Sequence, residues 1–538
     1  MILGAVLRFW NLDLKPLWLD EVITALISQG HSYDDVPLQV IFSLSRLKEL
    51  FTLKPEVSCA EITHILVTQS THPPLFFCGM HRWLTWVEPI TDSLSWAVRS
   101  LPALIGVGAI AAIYWLNRIA FSSKAGLVGA AIMAVSPFGV YLSQEARHYT
   151  LPILLITLGL IGLVQIQQDI SQRRQPRWIV WLSWSVVNSI SLYVHYFCVI
   201  ALIAQIFTLI TLFYWQRRTL YRRYWVTASV AIIGIGVSYL PWLPFLKNHF
   251  GRPETNWLPP AENIAPLYQT LVGWLLMIIA LPAEHQPLWI QIPVAIVMIT
   301  FGAWVTWQSI QGWKQLWQTP ETQLTALILG SFIFWVLLEF FAIVYVLNKD
   351  LTVAPRYHFV YFPAVCAWLG ATLTRKQELK HSWFLTPASL VLCIGIISCV
   401  FVVYDGVFQK PFEPQQVAQD MNLEPTVPLL VVMNYRNSQD LALGLSYDLT
   451  LGRMRTQNAD TFLAFFPRMA GNQSFWQQLS QQRSPVTQPL NLWVVGHQLK
   501  QEDFPPVVSL ANLSNCQIDP TQHRRVAIPH QLYRCQGN

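Results

Sequence analysis

WIVWLSWSVVNSISLYVHYFCVIALIAQIFTLITLFYWQ, residues 178–216, contains no Asp, Glu, Lys or Arg. A helix needs about 20 apolar residues to cross a bilayer, so this stretch is long enough for two crossings. Residues 125–144, 149–168, 224–246, 286–313 and 382–404 lack the same four residue types. Of the 538 residues, 53% are apolar and only 12% charged. Soluble domains carry about 25% charged residues, so the class is an all-α polytopic membrane protein with the bilayer as its solvent. Lys plus Arg number 35 against 29 Asp plus Glu. That excess lies in short loops and reads as a topology signal, not as a nucleic-acid surface.

The basic loops set the orientation. Arg118 to Lys124, Arg173 to Arg177, Arg217 to Arg223 and Arg375 to Lys380 all belong in the cytoplasm by the positive-inside rule. Spans at 94–117, 125–144, 149–168, 178–194, 196–215, 224–246, 286–310, 322–347, 357–374 and 382–404 then alternate consistently. Residues 72–88 contain His81, Arg82 and Glu88 and read as a helix at the outer surface. Residues 264–283 read as a re-entrant or surface helix, because counting them as a span would put TRKQELKH outside. The opening MILGAVLRFW gives too few apolar residues to span and has no cleavage-site pattern. The expectation is a first helix that begins upstream of Met1, making about eleven spans in a plasma (inner) membrane protein.

After Tyr404 the composition turns to Pro, Gln and Asn. VPLLVVMNY and LNLWVVGHQ read as strands bounded by turn formers, and QSFWQQLSQQ as a helix. The expected domains are 1–404, with a first external loop at 11–93, and an extracytoplasmic mixed α/β domain at 405–538. Cys516 and Cys535 fall in this tail, where an oxidising compartment would permit a disulfide; two free thiols are the alternative. Cys78, Cys198, Cys366, Cys393 and Cys399 lie in apolar stretches and read as packed small hydrophobes.

With this topology, Asp20–Glu21, THPPLFF (71–77), SQEARHY (143–149), YVHYF (193–197) and APRYHF (354–359) all land on the outer face. LWLDE, THPPLFF, SPFGVYLSQEARHY and APRYHFVYFPA, in that order, resemble the integral-membrane GT-C glycosyltransferases of the protein-mannosyltransferase and aminoarabinose-transferase type. The resemblance covers roughly residues 1–375. It implies a sugar donor linked to a polyprenyl phosphate carrier, used on the outer membrane face.

The resemblance assigns the first-loop acid, Asp20, as the base that takes the acceptor proton, a role a carboxylate suits. Glu21 would orient the acceptor or, with Asp20, hold a divalent cation. Position alone also allows Asp20 to be a helix N-cap. His72 can donate to phosphate or titrate near neutral pH. Arg356 and Arg147 offer planar forks to the leaving phosphate, with Tyr357 beside Arg356. The alternatives are a snorkelling anchor for Arg356 and an ion pair with Glu145 for Arg147. His195, between two spans, reads first as structural. Glu339, within FWVLLEFFAIVY, is an intramembrane carboxylate that no motif absorbs.

The expected function is transfer of a sugar from the carrier to an acceptor with inversion. Protein, lipid and glycan acceptors stay open. The rival is a transporter or flippase for a lipid-linked saccharide. Such proteins often show paired repeats with broken helices at the midplane, and no such repeat is visible.

Overall fold

The computed structural model describes residues 1–218, 220–252, 257–375, 386–455, 460–468, 472–486 and 489–535. The chain divides into two compact units. One is built from Met1–Leu12, Ser70–Phe76 and Val98–Phe408; the other from Asp13–Gln69, Phe77–Ala97 and Gln409–Asn538. Most of the first loop, expected as an appendage of the 1–404 domain, therefore groups with the tail.

The first unit is helical. Leu94–Ala120, Thr150–Ser171, Cys198–Trp215, Arg222–Phe250, Leu288–Gln318 and Pro320–Val346 are long and apolar enough to cross a membrane. Among the described residues that makes six spans, or seven if one bent pair counts as a single span. The other expected crossings fall on the shorter apolar helices Trp178–Leu192, Phe362–Thr374 and Pro387–Val403. The chain is a multi-pass membrane protein. Ala265–Leu276 has 12 residues, about 18 Å of helix, too short to cross alone.

The 125–144 segment, expected as one span, is two helices, Ser123–Val135 and Pro137–Ser143, bent by 59°. Pro137 has no N–H and cannot continue the first helix. Ser136 caps the second, its Oγ accepting from the Gly139 N–H at 3.2 Å. The carbonyls that the break exposes are taken up inside the protein. The buried Arg8 guanidinium donates to the Met133 and Ala134 oxygens at 2.9 and 3.0 Å, and Cys399 Sγ to the Val135 oxygen at 3.1 Å.

Three basic loops gather at one end of this unit. Gln168 Nε2 donates to the Ile119 carbonyl at 2.8 Å. The Tyr224 hydroxyl donates to the Arg174 carbonyl at 2.7 Å, and Arg177 pairs with Asp169 at 2.9 Å. The fourth basic loop lies almost wholly in 376–385, outside the described residues.

The second unit is built on a seven-stranded mixed sheet, in the order β1-β3-β2-β4-β7-β6-β5. The strands are β1 (Phe42–Ser43), β2 (Leu429–Tyr435), β3 (Thr461–Pro467), β4 (Leu490–Val495), β5 (Val507–Leu510), β6 (Leu513–Arg524) and β7 (His530–Cys535). The expected strands and helix in the tail are β2, β4 and Asn472–Ser480. β2, β3 and β4 are parallel, joined by the crossover helices Ser438–Met454 and Asn472–Ser480. Leu430, Val432, Phe466, Leu492 and Val494 pack with Phe475 and Leu479 in one core, which explains their near-continuous apolar runs. β1, from the first loop, extends the sheet antiparallel to β3.

Cys516 and Cys535 form a disulfide, the pairing allowed above. A second disulfide joins Cys59 to Cys78, so Cys78 is not a free packed thiol. Cys198, Cys366 and Cys399 are free and buried; Cys393 is free but exposed.

Candidate active site

In the helical unit, the second half of the broken helix delivers Tyr141 and then the turn carrying Glu145, Arg147 and His148 ahead of Thr150–Ser171. Gln144 fixes this turn, its Nε2 donating to the Trp10 carbonyl at 2.8 Å. Glu145, Arg147 and His148 are all buried. The Tyr141 hydroxyl is hydrogen-bonded to the Glu145 carboxylate.

Arg147 Nη2 lies 2.8 Å from His72 Nε2. A guanidinium only donates, so Nε2 accepts and the His72 proton sits on Nδ1. Nδ1 in turn meets Ser70 Oγ at 2.9 Å. Burial, then the Arg147 charge, holds His72 well below the usual histidine range. The expectation that His72 titrates near neutral pH is therefore corrected: it is a neutral prop for Arg147.

The rings continue from there. His148 packs edge-on to His72 at 5.4 Å and against His195 at 4.5 Å. His195 accepts from the Phe197 N–H through Nδ1 at 2.9 Å and meets Phe359 at 4.9 Å. Arg356 lies over Trp257 and Tyr357, with ring centres 5.3 and 5.4 Å away. Tyr357 meets Phe197 edge-on at 4.6 Å. Burial followed by the charges of Arg147 and Arg356 lowers His195 to about 3. His148 is pushed well down by burial, then by the neighbouring His195 and the same arginines. The imidazoles are thus uncharged at neutral pH, and the arginines carry the positive charge.

His72, Glu145, Arg147, His195, Arg356 and Tyr357, all singled out from the sequence, come together here. His148 was missed. It is buried, and neither ring nitrogen has a hydrogen-bond partner among the described residues. Its sequence signal was its place between Arg147 and Tyr149 at a helix start. Glu339 lies inside Pro320–Val346. Its Oε1 has no hydrogen-bond partner among the described residues.

The cluster sits at the end of the helices away from the basic loops. Thr150–Ser171 has Arg147 to Tyr149 before its start and Asp169 to Arg177 at its end. Trp178–Leu192 runs the other way, from Arg177 to His195.

Asp20 and Glu21 belong to the other unit. They open the helix Leu19–Ser28. The N-cap residue is Trp18, not Asp20, and the Trp18 N–H donates to Glu21 Oε2 at 3.4 Å. Glu21 is fully buried, while Asp20 is half-buried. Carboxylates in a first turn are favoured by the helix dipole. The loop is anchored within its unit: Ser446 Oγ donates to the Leu17 carbonyl at 2.6 Å, and Arg453 to the Asp13 carbonyl at 2.8 Å. Lys410 Nζ lies 5.3 Å from the Trp18 ring centre. Among the described residues no group of three or more His, Cys, Asp or Glu could hold a metal ion.

Residues 71–242 match the family model described as dolichyl-phosphate-mannose-protein mannosyltransferase. The fold is similar to that of ArnT from Cupriavidus metallidurans bound to undecaprenyl phosphate. The TM-score is 0.53 at 11% identity, over 99% of this chain and 96% of that one. The apo state of the same enzyme gives 0.54 at 12% identity, over 98% and 96%. The chain has the GT-C glycosyltransferase fold. An oligosaccharyltransferase from Archaeoglobus fulgidus is more distant, with a TM-score of 0.41 at 13% identity over 71% of this chain and 53% of that one. No curated protein matches. The GT-C match agrees with the resemblance carried by LWLDE, THPPLFF, SQEARHY and APRYHF.

Proposed function

We propose that this GT-C chain transfers a sugar from a polyprenyl-phosphate carrier to an acceptor hydroxyl on the outer face of the membrane, with inversion at the anomeric carbon. The observation that carries this reading is the convergence of Arg147 and Arg356 on one ring cluster. Two arginines from distant segments match a phosphate leaving group in charge and in donor geometry. The neutral histidines add no charge of their own to the arginines. ArnT bound to undecaprenyl phosphate makes the same lipid phosphate the natural probe.

In the reaction, the acceptor oxygen bonds to the anomeric carbon as the bond from that carbon to the phosphate oxygen breaks. The electron pair leaves with the polyprenyl phosphate, and Arg147 and Arg356 stabilise the charge that builds there. The acceptor proton goes to the Asp20 carboxylate. Glu21 holds the Leu19–Ser28 helix start that presents Asp20. The tail and the catalytic face are extracytoplasmic in this reading.

One observation favours the transporter alternative: the broken helix at Ser136. In transporters, unwound carbonyls at such breaks coordinate ions. Here those carbonyls are occupied by Arg8 and Cys399, which favours the enzyme. The test is undecaprenyl phosphate binding to purified protein. Arg147→Gln with Arg356→Gln is expected to weaken it at least tenfold, and unchanged affinity would refute the phosphate assignment.

A further inference from the structure

The tail carries a second set of polar groups at the carboxyl edge of its parallel strands. β3, β2 and β4 lie side by side in that order. The chain passes from β2 to β3 on one side and then returns to β4 on the other. In open α/β sheets, ligands bind outside the carboxyl ends of strands where the order reverses in this way. Here that point lies between β2 and β4, and the residues just past those strand ends are unusually polar.

Everything at this edge hangs on His497. Its backbone N–H donates to Asn434 Oδ1 at 2.6 Å. Its carbonyl accepts from Arg468 Nη1 at 3.1 Å, and the same nitrogen reaches Gln498 Oε1 at 3.1 Å. Its ring Nε2 lies 3.0 Å from Arg436 Nη2. The same ring nitrogen lies 3.3 Å from Asp440 Oδ1, so the ring faces a cation and a carboxylate together. Arg436 itself is neutralised by Asp440 at 2.9 Å. The helix start beside them is already capped, Asn437 Oδ1 accepting from the Gln439 and Asp440 N–H groups at 3.0 Å each.

Asn434 is 1% exposed, and its Nδ2 has no hydrogen-bond partner among the described residues. His497 Nδ1 is likewise buried without one. The Asn434 amide nitrogen is a donor. Among the described residues, the hydrogen-bond partners of the Arg468 side chain are neutral oxygens. A buried amide donor left unmet costs about 1–3 kcal/mol, so such groups in a native fold call for a partner. An orphan donor beside a cation that meets neutral oxygens calls for an acceptor with negative charge. On the same sheet edge, a cleft of about 630 Å³ is lined by Lys500, Gln501, Glu502 and Arg525; Lys500 pairs with Glu502 at 3.6 Å, so the lining is net positive through Arg525.

We propose that the carboxyl edge of the parallel β3-β2-β4 core binds an oxyanion, a phosphate group carried by a sugar or by a lipid headgroup, through Asn434 and Arg468. The site does not depend on the transfer reaction proposed for the helical unit.

The test is isothermal titration of the purified full-length protein with inorganic phosphate. Arg468→Gln and the isosteric Asn434→Asp are each expected to weaken binding at least tenfold with the thermal midpoint kept near that of the parent. Asn434→Asp retains the acceptor for the His497 N–H and replaces the orphan donor with a repelling charge. Arg147→Gln with Arg356→Gln is expected to leave this binding in place. Parent-like phosphate affinity in both tail variants would overturn the proposal. So would loss of all phosphate binding in the Arg147/Arg356 pair. Competition by glucose 1-phosphate or by short-chain phosphatidic acid supports the site and identifies the carrier; competition by neither contradicts it.

Discussion

The LWLDE loop and the SQEARHY turn each place carboxylates at or just ahead of a helix, yet their side chains meet different fates. In the loop, Glu21 is buried and turned back to the Trp18 N–H, while Asp20 keeps partial exposure. In the turn, the carboxylate itself is buried against Tyr141, and the cation two residues on is braced by a neutral histidine. One region presents an acid on a regular helix start. The other presents cations by breaking a helix. Adjacent charges in a sequence therefore do not share a role: the local backbone decides which is structural and which is left for chemistry.

Within the cluster at the turn, the largest effect is expected at Arg356. Arg356→Gln should lower sugar transfer by about 10²–10³, the usual cost of removing one stabilising group for developing charge. Undecaprenyl phosphate affinity should fall with it, as a binding titration would show. Retained transfer would detach the turn from the reaction.

Stability of the loop comes next. Replacing Cys59 and Cys78 together by Ser should cost about 2–4 kcal/mol, the usual worth of a native disulfide, and lower the thermal midpoint under oxidising conditions. An unchanged midpoint would mean that the loop is held by its sheet and helix contacts alone.

Glu21→Gln should be milder. It keeps an acceptor for the Trp18 N–H and loses the charge at the helix start, whose interaction with the dipole is worth about 0.3–1 kcal/mol. Transfer should stay within severalfold of the parent. Loss of transfer in a folded Glu21→Gln protein would reverse the roles given to the two acids.

The smallest effect is the pH dependence of the turn. His72, His148 and His195 are all held below the ordinary histidine value in the folded protein. The unfolded chain therefore binds more protons once the pH drops below about 6.5. Stability from these groups is fully present above that pH and is lost as the pH falls toward the folded values. Thermal midpoints measured from pH 7 to pH 5 should decline, and His148→Phe should flatten the decline.

Much of the helical unit was legible because charge-free length is a direct physical requirement of crossing a bilayer. The His72, Arg147 and Arg356 grouping was legible through loop sidedness. The break at Ser136 was not, since an apolar run hides a change of direction. Its signal was Ser136–Pro137, a cap residue followed by a proline suited to a first helical turn. His148 was overlooked because a histidine beside a span usually packs; only the burial of both ring nitrogens marks it. The joining of the first loop to the tail rests on a two-residue strand, Phe42–Ser43, and on single hydrogen bonds such as that from Ser446 Oγ to the Leu17 carbonyl. Neither has a periodic signature.

The central claim is that Asp20 does the chemistry while the arginine cluster holds the phosphate. Asp20→Asn tests it most directly, in one preparation assayed for both undecaprenyl phosphate binding and sugar transfer. The account predicts parent-like binding with transfer reduced by about 10²–10⁴, the usual contribution of a general base. Parent-like transfer in that variant would contradict it.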